Sequence, residues 1–313
     1  MILQNNKRIL KIVKETEFKL EKDIQNLVEN NMTTLLGYEF LATEFSIGCF
    51  RFDSVAFDND SNSFVIVEYK KTKNESLVDQ GLSYLSTLIL RRADFALLYN
   101  QKKNVNKGLD DFDWGQTRVV FISPKYTKYQ LKAASFKNLP FSFYEIKQFA
   151  NDCVEFNEVL IEKEEIANIN ILDNGNKSAN NVVTSPLNVI KVYTEDDHIA
   201  NGSDEIVELY KDLRDRVLSL GNIKIEPKKM YIAFKGVTNV CDITLTNKKM
   251  IVMINLKKGK MQDNNKFAKL MLKDNGEKIG HWGNGDYQCS VDKESQLDYL
   301  MTLIRQSYDV NKA

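Results

Sequence analysis

The stretch Phe64-Val65-Ile66-Val67-Glu68-Tyr69-Lys70 runs four apolar residues into a carboxylate and an amine two positions apart. A continuous apolar run of this length, bounded by polar segments, predicts a buried central strand. Side chains alternate along a strand, so Glu68 and Lys70 point to one side and Tyr69 to the other. Charge is unfavourable to bury unless it is paired or holds a metal ion. A buried strand that ends in two like-facing charged groups therefore calls for a chemical reason.

The tripeptide alone is weak. Glu-x-Lys occurs four times in the chain, at Glu17, Glu68, Glu145 and Glu226. Only the second copy has a strand before it that carries an acid and a helix after it that carries a polar pair. Upstream, Tyr38–Ile47 and Arg51–Phe57 read as antiparallel strands separated near Gly48, and the polar cluster Asp58-Asn59-Asp60-Ser61-Asn62 is a hairpin turn. Downstream, a polar segment leads to a helix over 76–91, on which Gln80 and Tyr84 share a face. Further out, a helix from Glu17 carries Leu20, Ile24, Leu27 and Val28 as its apolar stripe, with Glu21 and Gln25 beside it. Residues 1–15 form a strand-like or amphipathic lead-in. Strands at Ala93–Tyr99, Arg118–Ser123 and Phe141–Ile146, with a helix over Lys128–Phe136 and a polar loop over 102–114, complete the pattern. Strands alternating with helices predict an α/β layered domain over 1–161.

Residues 162–202 are rich in Asn, Asp, Glu and Ser and read as a polar linker with a short ordered piece at 187–192. A smaller α+β domain follows over 203–313. It opens with a helix capped by Ser203, continues through strands at 230–235, 240–244 and 250–255, and closes with helices over 264–272 and 294–307.

Lys plus Arg and Asp plus Glu both number 43, so there is no net charge to draw the whole molecule towards nucleic acid. The four cysteines form no metal-type spacing and are expected as small buried hydrophobes in a reducing compartment. No apolar run approaches the roughly 18 residues of a membrane span, and the polar start is unlike a secretion signal. A cytoplasmic protein is expected. Two histidines make Ser-His-Asp and Zn-His chemistry poor fits; His198 is expected on the solvated linker, and His281 in a turn with Trp282 or as a ligand contact. No phosphate-binding glycine loop or dinucleotide fingerprint is present.

The remaining constellation is Glu21, Asp53, Glu68, Lys70, Gln80 and Tyr84. Phosphodiester hydrolysis needs these residue types. A hard cation such as Mg²⁺ takes one or two carboxylates plus water and substrate phosphate, which Asp53 and Glu68 on adjacent strands would supply. Lys70 can orient water and stabilise charge on the phosphate. Glu21 is a candidate for a second ion or a fixed water, Gln80 for water positioning, and Tyr84 for substrate contact. Lys71 and Lys73, with Arg91-Arg92 and Lys102-Lys103, can follow a phosphate backbone. The plainer readings stay open: a strand-end ion pair for Glu68 and Lys70, a solvated acid for Glu21, core packing for Tyr84, a surface amide for Gln80, and solvated faces for the basic clusters.

Residues 17–100 resemble the PD-(D/E)XK nuclease superfamily. The resemblance rests on Asp53, on Glu68-x-Lys70 fifteen residues later, on a Gln80-x-x-x-Tyr84 helix similar to the last motif of RecB-like nucleases, and on Glu21-x-x-Ile24-Gln25. Phe52 stands where the superfamily name has Pro. The whole chain resembles a bacterial family that joins such a domain to a C-terminal domain of unknown function, through Gln80–Leu85, Arg92–Phe95 and Gly280-His281-Trp282-Gly283. The resemblance implies a restriction-endonuclease-like mixed sheet flanked by helices. It also implies a Mg²⁺- or Mn²⁺-dependent deoxyribonuclease, with DNA as partner and a homodimer if both strands are cut. The alternatives are a nuclease fold that binds nucleic acid or protein without cutting, and an interaction protein acting through its C-terminal domain.

Overall fold

A computed structural model describes residues 2–71, 77–134, 139–160, 189–273, 276, 279 and 284–312. The chain divides into two compact units, 1–192 and 193–313.

The first unit begins with an antiparallel hairpin of its own, β1 (Leu3–Asn6) and β2 (Ile9–Ile12), followed by the two-residue β3 (Glu15–Thr16). Helices α1 (Glu21–Asn30) and α2 (Met32–Leu36) come next. The strands β4 (Glu39–Ile47), β5 (Phe50–Asp58) and β6 (Ser63–Tyr69) then form an antiparallel meander. Helices α3 (Leu77–Leu90) and α4 (Arg92–Lys103) lead to β7 (Arg118–Ser123), parallel to β6, then α5 (Lys128–Ala134), β8 (Phe141–Phe149) parallel to β7, and β9 (Val154–Glu158). The sheet is mixed, in the order β3-β8-β7-β6-β5-β4 with β9 also on β8. Its centre is β6, every residue of which is buried, because it has a strand on each side and helices over both faces. Ile24, Val28 and Met32 of α1 and α2 pack on Val65, Val67, Tyr69, Val120 and Ile122. Leu77, Leu85 and Leu88 of α3 and Phe95 of α4 pack on Phe64, Ile66, Val119, Phe121 and Phe143. The expected class, a mixed α/β sheet flanked by helices, is the one observed.

The second unit holds α6 (Glu195–Ile199) and α7 (Asp204–Leu218), then β10 (Lys224–Pro227), β11 (Ile232–Lys235), β12 (Asn239–Thr246), β13 (Lys249–Ile254), β14 (Lys269–Leu270), β15 (Tyr287–Val291) and α8 (Leu297–Asn311). Its sheet is antiparallel throughout, in the order β10-β11-β12-β13-β15-β14. Helices α7 and α8 cover one face with Tyr210, Leu213, Val217, Leu300 and Ile304. The Ser203 hydroxyl caps α7 by accepting from the Ile206 N–H, as expected.

Several expectations are corrected. Ala93–Tyr99 is helix rather than strand. Phe95, Ala96 and Tyr99 share its buried side while Leu97 is exposed; a short apolar run does not separate the two cases by periodicity alone. The helix expected at 264–272 is irregular except for β14, because the Asp263 carboxylate takes the Ala268 N–H and Lys266 lies at φ 52°. The first helix begins at Glu21, not Glu17, with the Leu20 N–H donating to Asp23. The second unit starts at Tyr193. His198, expected on a solvated linker, is buried, with its Nε2 2.6 Å from the Lys228 carbonyl. Cys241 and Cys289 are buried, but Cys49 and Cys153 are exposed. Of the motif at 280–283 nothing is described, and Lys73 likewise lies outside the described residues.

Candidate active site

The C-terminal end of β6 carries Glu68 with its side chain 2% exposed. Its Oε1 accepts from Lys70 Nζ at 2.5 Å and from Gln80 Nε2 at 2.6 Å. Its Oε2 is buried with no hydrogen-bond partner. Such an orphan is rare, because a buried carboxylate oxygen without a donor loses its hydration without replacement. Burial, first, and the neighbouring Asp53 charge, second, push Glu68 up to about 7 against the opposing pull of Lys70. Asp53, on β5, is also raised, mainly by burial; the Tyr69 N–H that donates to its Oδ2 at 3.1 Å and the charge of Lys70 work the other way. Burial lowers Lys70, but the charge and hydrogen bond of Glu68 outweigh it and leave the amine raised.

Two further elements, α1 and α3, close around this pair. Glu21, the first residue of α1, lies 3.9 Å from Lys70 Nζ and accepts the Lys71 N–H at 2.8 Å. Gln80, from α3, also donates to the Tyr84 hydroxyl at 2.7 Å. Tyr84 is 6% exposed, packs edge-on to Phe52 and donates to the Arg51 carbonyl at 3.3 Å. Its hydroxyl is thus committed inside the domain, beneath Gln80, rather than turned outward. The Lys71 amine is held by the Lys19 carbonyl at 2.6 Å. Glu21, Asp53, Glu68, Lys70, Gln80 and Tyr84 are brought together; the Lys71 side chain is directed to the segment before α1.

The supporting residues on the other side of the sheet were not read from the sequence as part of the site. Gln25 of α1 donates to the Asp53 carbonyl at 2.8 Å, to Glu29 at 2.8 Å and to Thr43 at 3.0 Å. The Ser54 hydroxyl lies 2.6 Å from Glu29 and 3.0 Å from the Tyr69 hydroxyl. This network grips the residue after Asp53 and the residue between Glu68 and Lys70. The signals in the sequence are a polar Gln25 beside an apolar stripe and its place in the Glu21-x-x-Ile24-Gln25 pattern.

Among the described residues no three His, Cys, Asp or Glu side chains gather as a ready-made metal cage. Asp53 and Glu68 do fit an ion that keeps water and substrate oxygens in its shell, as Mg²⁺ does. The unpartnered Glu68 oxygen and the mutual repulsion of the two carboxylates are both relieved by a cation.

The class these observations define is a mixed α/β sheet, flanked by helices, whose central strand ends in an acid-and-lysine cluster. The chain is 40% identical over 307 residues, 98% of each, to an uncharacterized protein of Haemophilus influenzae, and it belongs to the same family. Residues 195–311 match the family described as a domain of unknown function, DUF5655. Among solved structures, a repair endonuclease from Pyrococcus abyssi matches 42% of this chain and 50% of its own, at 18% identity and a TM-score of 0.24. An EndoMS-dsDNA2 complex matches 44% and 50%, at 15% identity and a TM-score of 0.25. Likenesses this distant say nothing of activity. Among the described residues no helix is long and apolar enough to cross a membrane.

Proposed function

We propose that the protein is a Mg²⁺- or Mn²⁺-dependent nuclease that hydrolyses DNA phosphodiester bonds at the end of β6. The observation that carries this reading is the buried, unpartnered Glu68 oxygen beside Asp53, with Lys70 on the other oxygen of the same carboxylate. Asp53 and Glu68 hold the ion, which when bound supplies Lewis acidity towards the phosphate and lowers the pKa of its water. Lys70 orients the attacking water and balances charge that develops on the phosphate. Gln80 holds Glu68 in place and is itself held by Tyr84. Glu21 fixes the end of the strand through the Lys71 N–H and faces Lys70 from the far side.

The test is cleavage of single-stranded, duplex and branched DNA with and without Mg²⁺ or Mn²⁺, alongside the melting temperature. Wild type cleaves, and metal raises its melting temperature, as a ligand of the native state must. Glu68→Ala loses both effects. Lys70→Ala loses cleavage, by about 10² or more in rate, and keeps most of the metal-induced rise. A wild type that binds metal without cutting any of these substrates points to the non-cutting binding module. A wild type that does neither removes the nuclease reading, and full cleavage by Lys70→Ala removes that residue from the chemistry.

A further inference from the structure

We infer that the N-terminal hairpin, β1 and β2, is a nucleic-acid clamp that grips the phosphate backbone of a duplex beside the candidate site. This rests on the nuclease reading for the class of its partner and adds the element that holds it.

Residues 1–14 carry Lys7, Arg8, Lys11 and Lys14 and no acidic residue, in a chain whose basic and acidic residues both number 43 overall. Among the described residues none of these four is ion-paired. The hairpin is a two-stranded sheet that pairs with no other described strand. Gln4, Asn5 and the residues from Lys7 to Ile12 are exposed, and Leu3, Ile9, Leu10 and Ile12 expose between 43% and 68% of their surface. A free two-stranded hairpin is at best marginal in water, and open strand edges with exposed aliphatic side chains are usually covered or blunted. Here no described strand covers them, and the charges that blunt the edge are all basic.

The turn adds to this. The register pairs Asn6 with Ile9, so the loop is the two residues Lys7 and Arg8, at φ 50° and 71°. Both central residues of such a turn take positive φ, which favours Asn-Gly. Lys and Arg stand there instead, with only the Asn5 side chain accepting the Arg8 N–H at 3.0 Å. The tip therefore presents two cations at a conformational disadvantage. Behind it, the register places Leu3, Leu10 and Ile12 on one face of the ribbon. A two-stranded ribbon fits the groove of a duplex, where basic side chains meet phosphates and aliphatic ones touch sugars and base edges.

The base of the hairpin ties it to the site. Val13 is buried and donates to the Ile2 carbonyl at 2.9 Å, and the Lys14 carbonyl accepts from the Ala150 N–H at 2.9 Å just past the end of β8. The chain then passes Lys19, whose carbonyl holds the Lys71 amine, and reaches Glu21 beside Lys70. The four positive charges thus hang from the segment that enters the candidate site. A second copy of the chain is the competing occupant; packed hairpin to hairpin it would set four like charges against four more, which repel.

The test is fluorescence anisotropy with short labelled DNA and RNA duplexes in EDTA, over a series of salt concentrations, on the full chain. The triple variant K7Q/R8Q/K11Q is expected to bind at least tenfold more weakly at low salt. The slope of log affinity against log salt should flatten by about 0.9 for each phosphate that the variant no longer neutralises. The variant L3S/L10S/I12S is expected to bind more weakly with the slope unchanged. Both should melt as wild type does, since the hairpin lies outside the core. Unchanged affinity and slope in both variants overturn the inference, as does dissociation of a dimer in sedimentation with duplex affinity intact. If wild type cleaves DNA and the hairpin variants bind like it, the clamp alone fails. If wild type neither binds nucleic acid here nor cleaves it with metal present, the nuclease reading fails as well.

Discussion

Glu68 is the most perturbed acid of the candidate site, and its protonation has a thermodynamic consequence. Its ordinary value is 4.5 and the fold pushes it up to about 7, chiefly by burial. A carboxyl raised on folding binds its proton more tightly in the native state. The stability this brings is full below about pH 4.5 and is lost as pH rises through about 7. Relative to Glu68→Gln, metal-free wild type should lose on the order of 2–3 kcal/mol between those limits, from a shift of this size at ~1.4 kcal/mol per unit. Urea unfolding across pH measures it; parallel pH profiles for the two proteins would show that Glu68 is not shifted. The same proton competes with a metal ion, so Mg²⁺ should stabilise wild type more above neutrality than near pH 5.

At the scale of elements, the Glu-x-Lys pattern shows what setting adds to a motif. Glu145 and Lys147 on β8 form an ion pair at 3.4 Å, and Glu226 and Lys228, at the end of β10, form one at 3.1 Å. An ion pair of this kind is therefore no mark of chemistry. What differs at β6 is the second carboxylate on the adjoining strand and α3 laid close over both. That close approach depends on Gly81, where an added Cβ would fall 2.6 Å from the Phe141 ring and 3.0 Å from the buried Phe121 ring. Gly81→Ala should destabilise the first unit by about 1–3 kcal/mol through overpacking, read from urea unfolding. It should also reduce cleavage more than this destabilisation accounts for, because Gln80 moves with the helix. A variant as stable as wild type would show that α3 can lift without penalty. The helix Arg92–Lys103, where the sequence predicts a strand over Ala93–Tyr99, belongs to this scale too. Its apolar residues were legible as buried, but which side they bury on was set by the packing of Phe95 against Phe45, Phe52 and Phe64.

Across the whole molecule, each unit builds its core from its own stretch of chain. The second unit closes its own, with α7 and α8 on a six-stranded antiparallel sheet and His198 and α6 included. Residues 193–313 expressed alone should therefore fold and unfold in one cooperative urea transition; a fragment without such a transition would show that this core needs the first unit. The same residues without 193–202 should be less stable, since they lack the His198 bond to Lys228 and the Glu195 bonds to Tyr210 and Arg214. The sequence by itself determined the α/β class, the central strand, the meander before it and the amphipathic helices, because apolar runs and their periods are local properties. It also singled out Glu21, Asp53, Glu68, Lys70, Gln80 and Tyr84 as a set. Only the tertiary structure decided that Tyr84 is sealed under Gln80, that Lys71 turns to Lys19, and that Gln25, Glu29 and Ser54 brace the strands from behind. It alone leaves one oxygen of Glu68 without a donor. Burial and partnership are set by what distant parts of the chain bring to the same point, and no local pattern records that.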